Sequence, residues 1–335
     1  MNPIRFNLNC GTWDWNQTRQ NALLADQLGF YSLSIADHLY FVGADRTATT
    51  PSLECYATLS AVTALTERVR LLTSVTPIGF RNPALLAKII TTVDTISNGR
   101  LTVGLGTGAL RQEYEAFDYP FPSPAERIRQ LDEGIQLLKT MWTQDEPTYH
   151  GRYYRIDKGY CYPKPVQKPH PPILLGGSGK LLIKLAGREA NAINLVPPNE
   201  KGAFDASHVM GFQVIDIRDR INLLFEAAKA AGRDPNAIEV STFSYIFLSR
   251  DKGEADSMLA KTAASYKVEP ERIRHAMMVM GGTPEEVKRE LRERIEKVGI
   301  TYFSLGFTDA DAVRLFAREV MPEFHDQPSP ERHAP

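Results

Sequence analysis

Along nearly its whole length the chain alternates short apolar, β-branched runs with segments of helical period, a rhythm that few architectures accept. The strand-like runs are Arg5–Cys10, Ser32–Ala36, Val69–Thr76, Leu101–Leu105, Pro172–Gly176, Asn191–Val196, Ile238–Leu248 and Thr301–Leu305. Between them Ile128, Leu131, Ile135, Leu138 and Met141 keep a three/four spacing, as do Val287, Leu291, Ile295 and Val298, which is the pattern of helices burying one face. Asn82-Pro83, Ser123-Pro124 and Thr283-Pro284 each set a capping side chain before a proline fit for the first helical position. Glu126 and Glu286 complete capping boxes behind two of them.

The connections are lopsided. Helices end at Gly29, Gly99 and Gly299 and the next strand follows almost at once, as a left-handed glycine cap allows. Connections leaving strands are long: 39–52, 109–122, 197–212 and 249–283, with a further Pro- and Tyr-rich arm at 144–171. The pattern predicts an α/β chain folded as a single (β/α)8 TIM barrel over residues 1–322, with its insertions and its active site at the strand C-termini. The arms 109–122, 144–171 and 249–283 are expected around that mouth. A flexible tail is expected at 323–335. The alternative is a doubly wound open sheet, and GLGTGA at 104–109 fits its dinucleotide-binding turn. That turn must open a helix at once, and Pro120, Pro122 and Pro124 follow too closely for one.

With 335 residues, 43% of them hydrophobic, the chain can bury one large core. A formal net charge of −1 argues against a general nucleic-acid or membrane-surface binder. Cys10, Cys55 and Cys161 are odd in number and lack C-x-x-C spacing, which suggests reduced thiols. The N-terminal residues carry no signal-peptide core, and no apolar run approaches the roughly 18 residues of a membrane span. A cytoplasmic protein is expected, a homodimer acting on a small-molecule substrate, without nucleic-acid or membrane partners.

On a barrel, functional residues follow the strands. Asp37-His38 after the second strand suits an imidazole acting as proton donor or acceptor; a helix cap beside a hydrogen-bonded histidine is the alternative. Ser74-Val75-Thr76-Pro77 turns the chain sharply after the third strand. Thr107-Gly108 after the fourth lets a flat ligand approach the backbone, unless it is only a tight turn. Gly176-Gly177-Ser178-Gly179-Lys180 after the fifth opens a helix and offers a phosphate cradle of backbone N–H groups. No H-x-x-x-H or H-E-x-x-H spacing supports a metal, no strand lysine supports a Schiff base, and no G-x-S-x-G is present.

The ordered set ADHL (36–39), TERVRL (66–71), SVTP (74–77), FRNPALLAKIITTVDTISNGRL (80–101), GLGTG (104–108), EYEAFDYPFP (113–122), PKPVQKPHPPILLGG (163–177) and GTPEE (282–286) resembles the bacterial luciferase-like oxidoreductases. The likeness is to the branch that uses the deazaflavin coenzyme F420, and it covers about residues 4–320. It implies a flavin-like ring at the strand C-termini, resting on a bulge with a non-proline cis peptide at Ser74-Val75, close to Thr76. Thr107 and Gly108 line the pocket, Gly176–Gly179 with Lys180 hold the phosphate, and Asp37 and His38 lie at the reactive ring edge as the catalytic pair. Two features depart from the sugar-phosphate and alcohol dehydrogenases of that branch. Ala109 stands where they carry a catalytic glutamate, and Tyr40-Phe41-Val42 replaces their tryptophan. His38 therefore needs a different partner.

Coenzyme F420 is the expected cofactor, giving hydride transfer to or from a small, largely apolar organic substrate. Arg81, Lys158, Lys164, Lys180 and Lys201 are candidates to neutralise its acidic tail, or are solvated charges. The alternatives are FMN, which would make a monooxygenase, and a non-catalytic flavin carrier. The aromatic residues Tyr114, Phe117, Tyr119, Tyr160 and Tyr162 suggest an apolar mouth.

Overall fold

The computed structural model describes residues 3–11, 14–42, 49–197, 212, 214–274 and 276–324. Its eight barrel strands are β1 (Arg5–Cys10), β2 (Ser32–Ile35), β3 (Arg70–Thr73), β4 (Leu101–Gly106), β5 (Ile173–Gly176), β6 (Ala192–Leu195), β7 (Glu239–Leu248) and β8 (Tyr302–Phe307). Every neighbouring pair is parallel, in chain order, and β8 pairs β1 to close the ring. The helices are α1 (Trp15–Leu28), α2 (Cys55–Leu65), α3 (Pro83–Ile96), α4 (Arg111–Ala116), α5 (Pro124–Thr143), α6 (Lys180–Glu189), α7 (Val214–Ala230), α8 (Lys252–Ser265), α9 (Pro270–Arg274), α10 (Pro284–Val298) and α11 (Ala310–Glu319). The expected (β/α)8 barrel is the observed fold.

Strand alternation divides the core in two. Leu33, Ile35, Leu71, Val103, Leu105, Ile173, Leu175, Ile193, Phe303 and Leu305 join one buried cluster with the helices. The inward positions are smaller and more polar. Asn7 Nδ2 donates to Ser34 Oγ at 2.8 Å and to Ser304 Oγ at 3.0 Å, and Ser32 Oγ donates to Asn7 Oδ1 at 2.7 Å. Buried polar groups of this kind must be paired, and they are, across three strands.

The capping prolines act as read. Asn82 accepts from Ala84 N–H, Ser123 from Glu126 N–H, and Glu286 takes the N–H of Thr283 at 2.9 Å. Gly29 and Gly299, both at φ 80°, end α1 and α10.

Three expectations change. The arm 144–171 lies at the N-terminal end of the barrel, away from the mouth. Gln167 donates to the Leu101 carbonyl at 2.6 Å and accepts from Arg70 at 2.9 Å, while Asp94 takes the Val166 N–H at 2.7 Å. Leu101 and Arg70 open their strands. The cause is α5, whose 20 residues return the chain about 30 Å before the arm begins. Tyr160 and Tyr162 go with the arm and face solvent. Secondly, 249–283 holds α8, α9 and a strand, Val279–Gly282, that runs parallel to Tyr245–Leu248 and extends the wall at the mouth. Its sequence, VMGG, is too short and too glycine-rich to announce a strand. Thirdly, the third run breaks after Thr73, and Thr76–Pro77 pairs separately with Leu105–Gly106. The connection 197–212 lies outside the described residues apart from 197 and 212. Of the expected tail only Glu323 and Phe324 are described, and Phe324 is buried edge-on to Phe6.

Candidate active site

Between Thr73 and Thr76 the Ser74–Val75 peptide is cis, as the resemblance implied. Val75 projects over the inner face of β4 and β5, and this explains the glycines there. A Cβ on Gly106 would lie 2.7 Å from Val75 Cγ2, and one on Gly176 would lie 2.7 Å from Cγ1. Real Cβ contacts do not come that close, so neither strand tolerates a side chain beneath Val75. The shelf is pinned from below: Thr73 Oγ1 exchanges hydrogen bonds of 2.8 Å with the Gly104 N–H and carbonyl. Tyr56 Oη lies 3.0 Å from Thr76 Oγ1 and holds its far side. Thr107 and Gly108 continue this wall. Gly108 sits at φ 80°, and Arg127 donates to both of their carbonyls.

His38 stands at the end of β2, partly exposed. Its Nδ1 lies 3.0 Å from Glu113 Oε2, the Leu39 N–H donates to Glu113 Oε1, and Ser52 Oγ donates to the His38 carbonyl at 2.9 Å. The Glu113 side chain is 2% exposed. A carboxylate only accepts, so this pairing puts the imidazole proton on Nδ1 and leaves Nε2 as the basic nitrogen.

Asp37 is turned elsewhere. Arg81 donates to it twice, at 2.6 and 3.1 Å, and also donates to Glu54. Burial pushes the Asp37 carboxyl above its ordinary range against the pull of Arg81. The pairing of Asp37 with the imidazole is thus corrected: the partner of His38 is Glu113. Arg81 is engaged with two carboxylates and is not available to an anionic tail. Glu113 was missed because α4 brings it across 75 residues of sequence. The one available signal was Ala109, which stands where the resembling dehydrogenases carry a glutamate, so that His38 needs a different partner.

The loop after β5 leads into α6. Gly177, at φ 137°, donates its N–H to the Asn194 carbonyl at 3.0 Å, so that N–H belongs to the barrel ladder and does not face a ligand. Ser178 is different. Its Oγ is buried and lacks a partner, as does Asn194 Oδ1 on the inner face of β6. Gly179 caps α6 with no side-chain acceptor on the first turn, and Lys180 is exposed beside it. A buried orphan hydroxyl at an uncapped helix N-terminus fits an anion, and the shelf that Val75 forms over Gly106 and Gly176 fits a flat ring. Two other candidate cations are remote: Lys158 pairs with Glu146 at 3.3 Å and Lys164 donates to the Met141 carbonyl at 2.8 Å. Lys201 lies outside the described residues. Tyr114 and Tyr119 pack against Phe80 inside the 109–122 arm, and exposed Phe117 stacks on Tyr40.

The molecule is thus a (β/α)8 barrel enzyme with its polar groups gathered at the strand C-termini. The chain belongs to the luciferase-like monooxygenase family, which matches residues 7–278, and is an oxidoreductase of that family. It is 31% identical over 263 residues to an FMNH2-dependent dimethylsulfone monooxygenase of Pseudomonas putida, covering 78% of this chain and 66% of that one. It is also 31% identical over 229 residues to an F420-dependent glucose-6-phosphate dehydrogenase of Intrasporangium calvum, covering 64% and 65%. The matched stretch is therefore just under two thirds of each relative's length. The fold resembles an F420-dependent secondary alcohol dehydrogenase solved with an F420-acetone adduct, at TM-score 0.81, 22% identity and coverage of 97% and 100%. Among the described residues no helix is long and apolar enough to cross a membrane, and no cluster of His, Cys, Asp or Glu side chains fits a metal ion.

Proposed function

We propose that this chain is an F420-dependent oxidoreductase that moves hydride between the coenzyme and a small, largely apolar alcohol or its ketone. The observation that carries the proposal is the His38–Glu113 pair at the barrel mouth, next to the shelf that Val75 forms over Gly106 and Gly176.

Bound coenzyme would supply a two-electron hydride acceptor that does not activate oxygen. The protein's part is positional and acid–base. Val75 and Thr76 would support one face of the ring, and Thr107 and Gly108 would border it. Ser178, Gly179 and Lys180 would hold the phosphate, with Gly176 and Gly177 giving the backbone its close approach. As the alcohol is oxidised to the carbonyl, its hydroxyl proton would pass to His38 Nε2. The reverse direction returns that proton from the imidazolium. Glu113 fixes the ring orientation and stabilises the imidazolium. Asp37, held by Arg81, positions the end of β2 and does not touch the proton.

The identity to the dimethylsulfone monooxygenase over 78% of the chain favours a second reading, in which reduced FMN and oxygen act at the same shelf. Substrate-dependent bleaching of oxidised F420, screened over secondary alcohols under nitrogen, tests the choice. Bleaching by wild type and its loss in His38→Ala are expected. Absence of bleaching, with oxygen uptake in the presence of reduced FMN, would establish the second reading instead.

A further inference from the structure

The wall facing the Val75 shelf has its own chemistry. In the closed ring β7 stands four places from β3, directly across the mouth. Its register fixes which side chains look inward: Ser241, Phe243 and Tyr245 lie beside Tyr302, Ser304 and Gly306 of β8. Tyr302 reaches Ser32 Oγ and Ser304 accepts from Asn7, so that row is the barrel interior. Phe243 and Tyr245 meet edge to face with centroids 4.7 Å apart, and both rings lie over Gly306, where a Cβ would come within 3.2 Å of one and 3.3 Å of the other.

β7 also overhangs. It runs for 10 residues beside a four-residue β6, and its far end carries a second apolar cluster. Leu259, Ala263, Ile273, Ala276, Met278 and Val279 form it, with Phe243, Phe247 and Tyr266 packed on its edge. This cluster is separate from the main core and roofs one side of the mouth. Even so, Tyr245 remains 46% exposed, far more than its inward position requires. The inward residues of β7 and β8 at this level carry no charge.

We infer that Phe243, Tyr245 and Gly306 form the substrate-side wall, and that the substrate is an uncharged, ring-bearing molecule reacting through one carbon–oxygen group. The inference rests on the reading that the coenzyme ring lies on the Val75 shelf. A flat apolar body would then stand between the shelf and the aromatic edges, with its oxygen toward His38. Aromatic side chains recognise such a body by edge and face contact. A sugar phosphate would find no counter-charge on this wall.

Acetophenone is the probe. Its affinity is measured by calorimetry for wild type, Tyr245→Ala and Phe243→Leu, each with and without F420, with glucose 6-phosphate as competitor. Wild type should bind acetophenone, each variant at least about tenfold more weakly, while F420 affinity stays within about twofold. Tyr245 is half exposed, so its alanine variant should keep its fold and remain readable. Failure of wild type to bind, equal binding by the variants, or displacement by glucose 6-phosphate would each overturn the wall. Failure of F420 and FMN to bind would instead overturn the cofactor reading, and acetophenone binding without cofactor would still test the wall.

Discussion

At the scale of single residues the site depends on two close fits. One is Glu113, which accepts from His38 and Leu39 in a buried position. Glu113→Gln keeps the volume but turns an amide donor toward an N–H. Turnover should fall by about tenfold to a hundredfold, with coenzyme affinity unchanged. His38→Ala should cost roughly two to four orders of magnitude; steady-state kinetics beside a coenzyme titration separates both from a folding defect. The other fit is Val75 over Gly106 and Gly176. Gly106→Ala should destabilise by about 1–3 kcal/mol through overpacking, and adding Val75→Ala should recover most of it. Thermal melts of the two single variants and the double variant check this, and additive losses would mean the contact is relaxed elsewhere. Asp37 and His38 were legible because they adjoin a strand end. Their partners were not, since Arg81 and Glu113 come from elements 44 and 75 residues away, and no local pattern encodes such a distance.

At the scale of elements, caps were the most readable feature and loop placement the least. Proline at the first position and an acid at the third announced α5 and α10, because those residues satisfy the first orphan N–H groups locally. The arm 144–171 was assigned to the wrong end because its composition resembles a mouth loop; only the length of α5 tells where it starts. The α10 cap also carries a pH dependence. The Lys252 ammonium and the Thr283 N–H hold the Glu286 carboxyl at about 2, below its unfolded value of about 4.3. A carboxyl lowered by folding stabilises above its unfolded value, and that contribution fades as pH falls from about 4.3 through about 2. Urea melts of wild type and Glu286→Gln should therefore converge over that window. A constant gap between them down to pH 2 would contradict the assigned cause. Because Lys252 opens α8, the variant should also loosen the second cluster before the barrel, seen as faster amide exchange in residues 252–282.

At the scale of the whole molecule the barrel itself was legible, because short strands alternate with capped helices along the chain and most of the long connections follow the strands. What the sequence left open is the choice between a hydride carrier and an oxygen-activating flavin, since both need the same shelf, anion site and imidazole. Of the described candidate cations, Lys180 is the one beside the N-terminus of α6. In the proposed function, the Val75 shelf and the N-terminus of α6 take up the deazaflavin coenzyme. An equilibrium fluorescence titration of the purified protein with F420 and with FMN, each also run on Gly176→Val, tests it most directly. Saturable F420 binding at least about tenfold tighter than FMN is expected, lost in Gly176→Val as its side chain meets Val75. Tighter binding of FMN, or F420 affinity unchanged in a folded Gly176→Val, would contradict it.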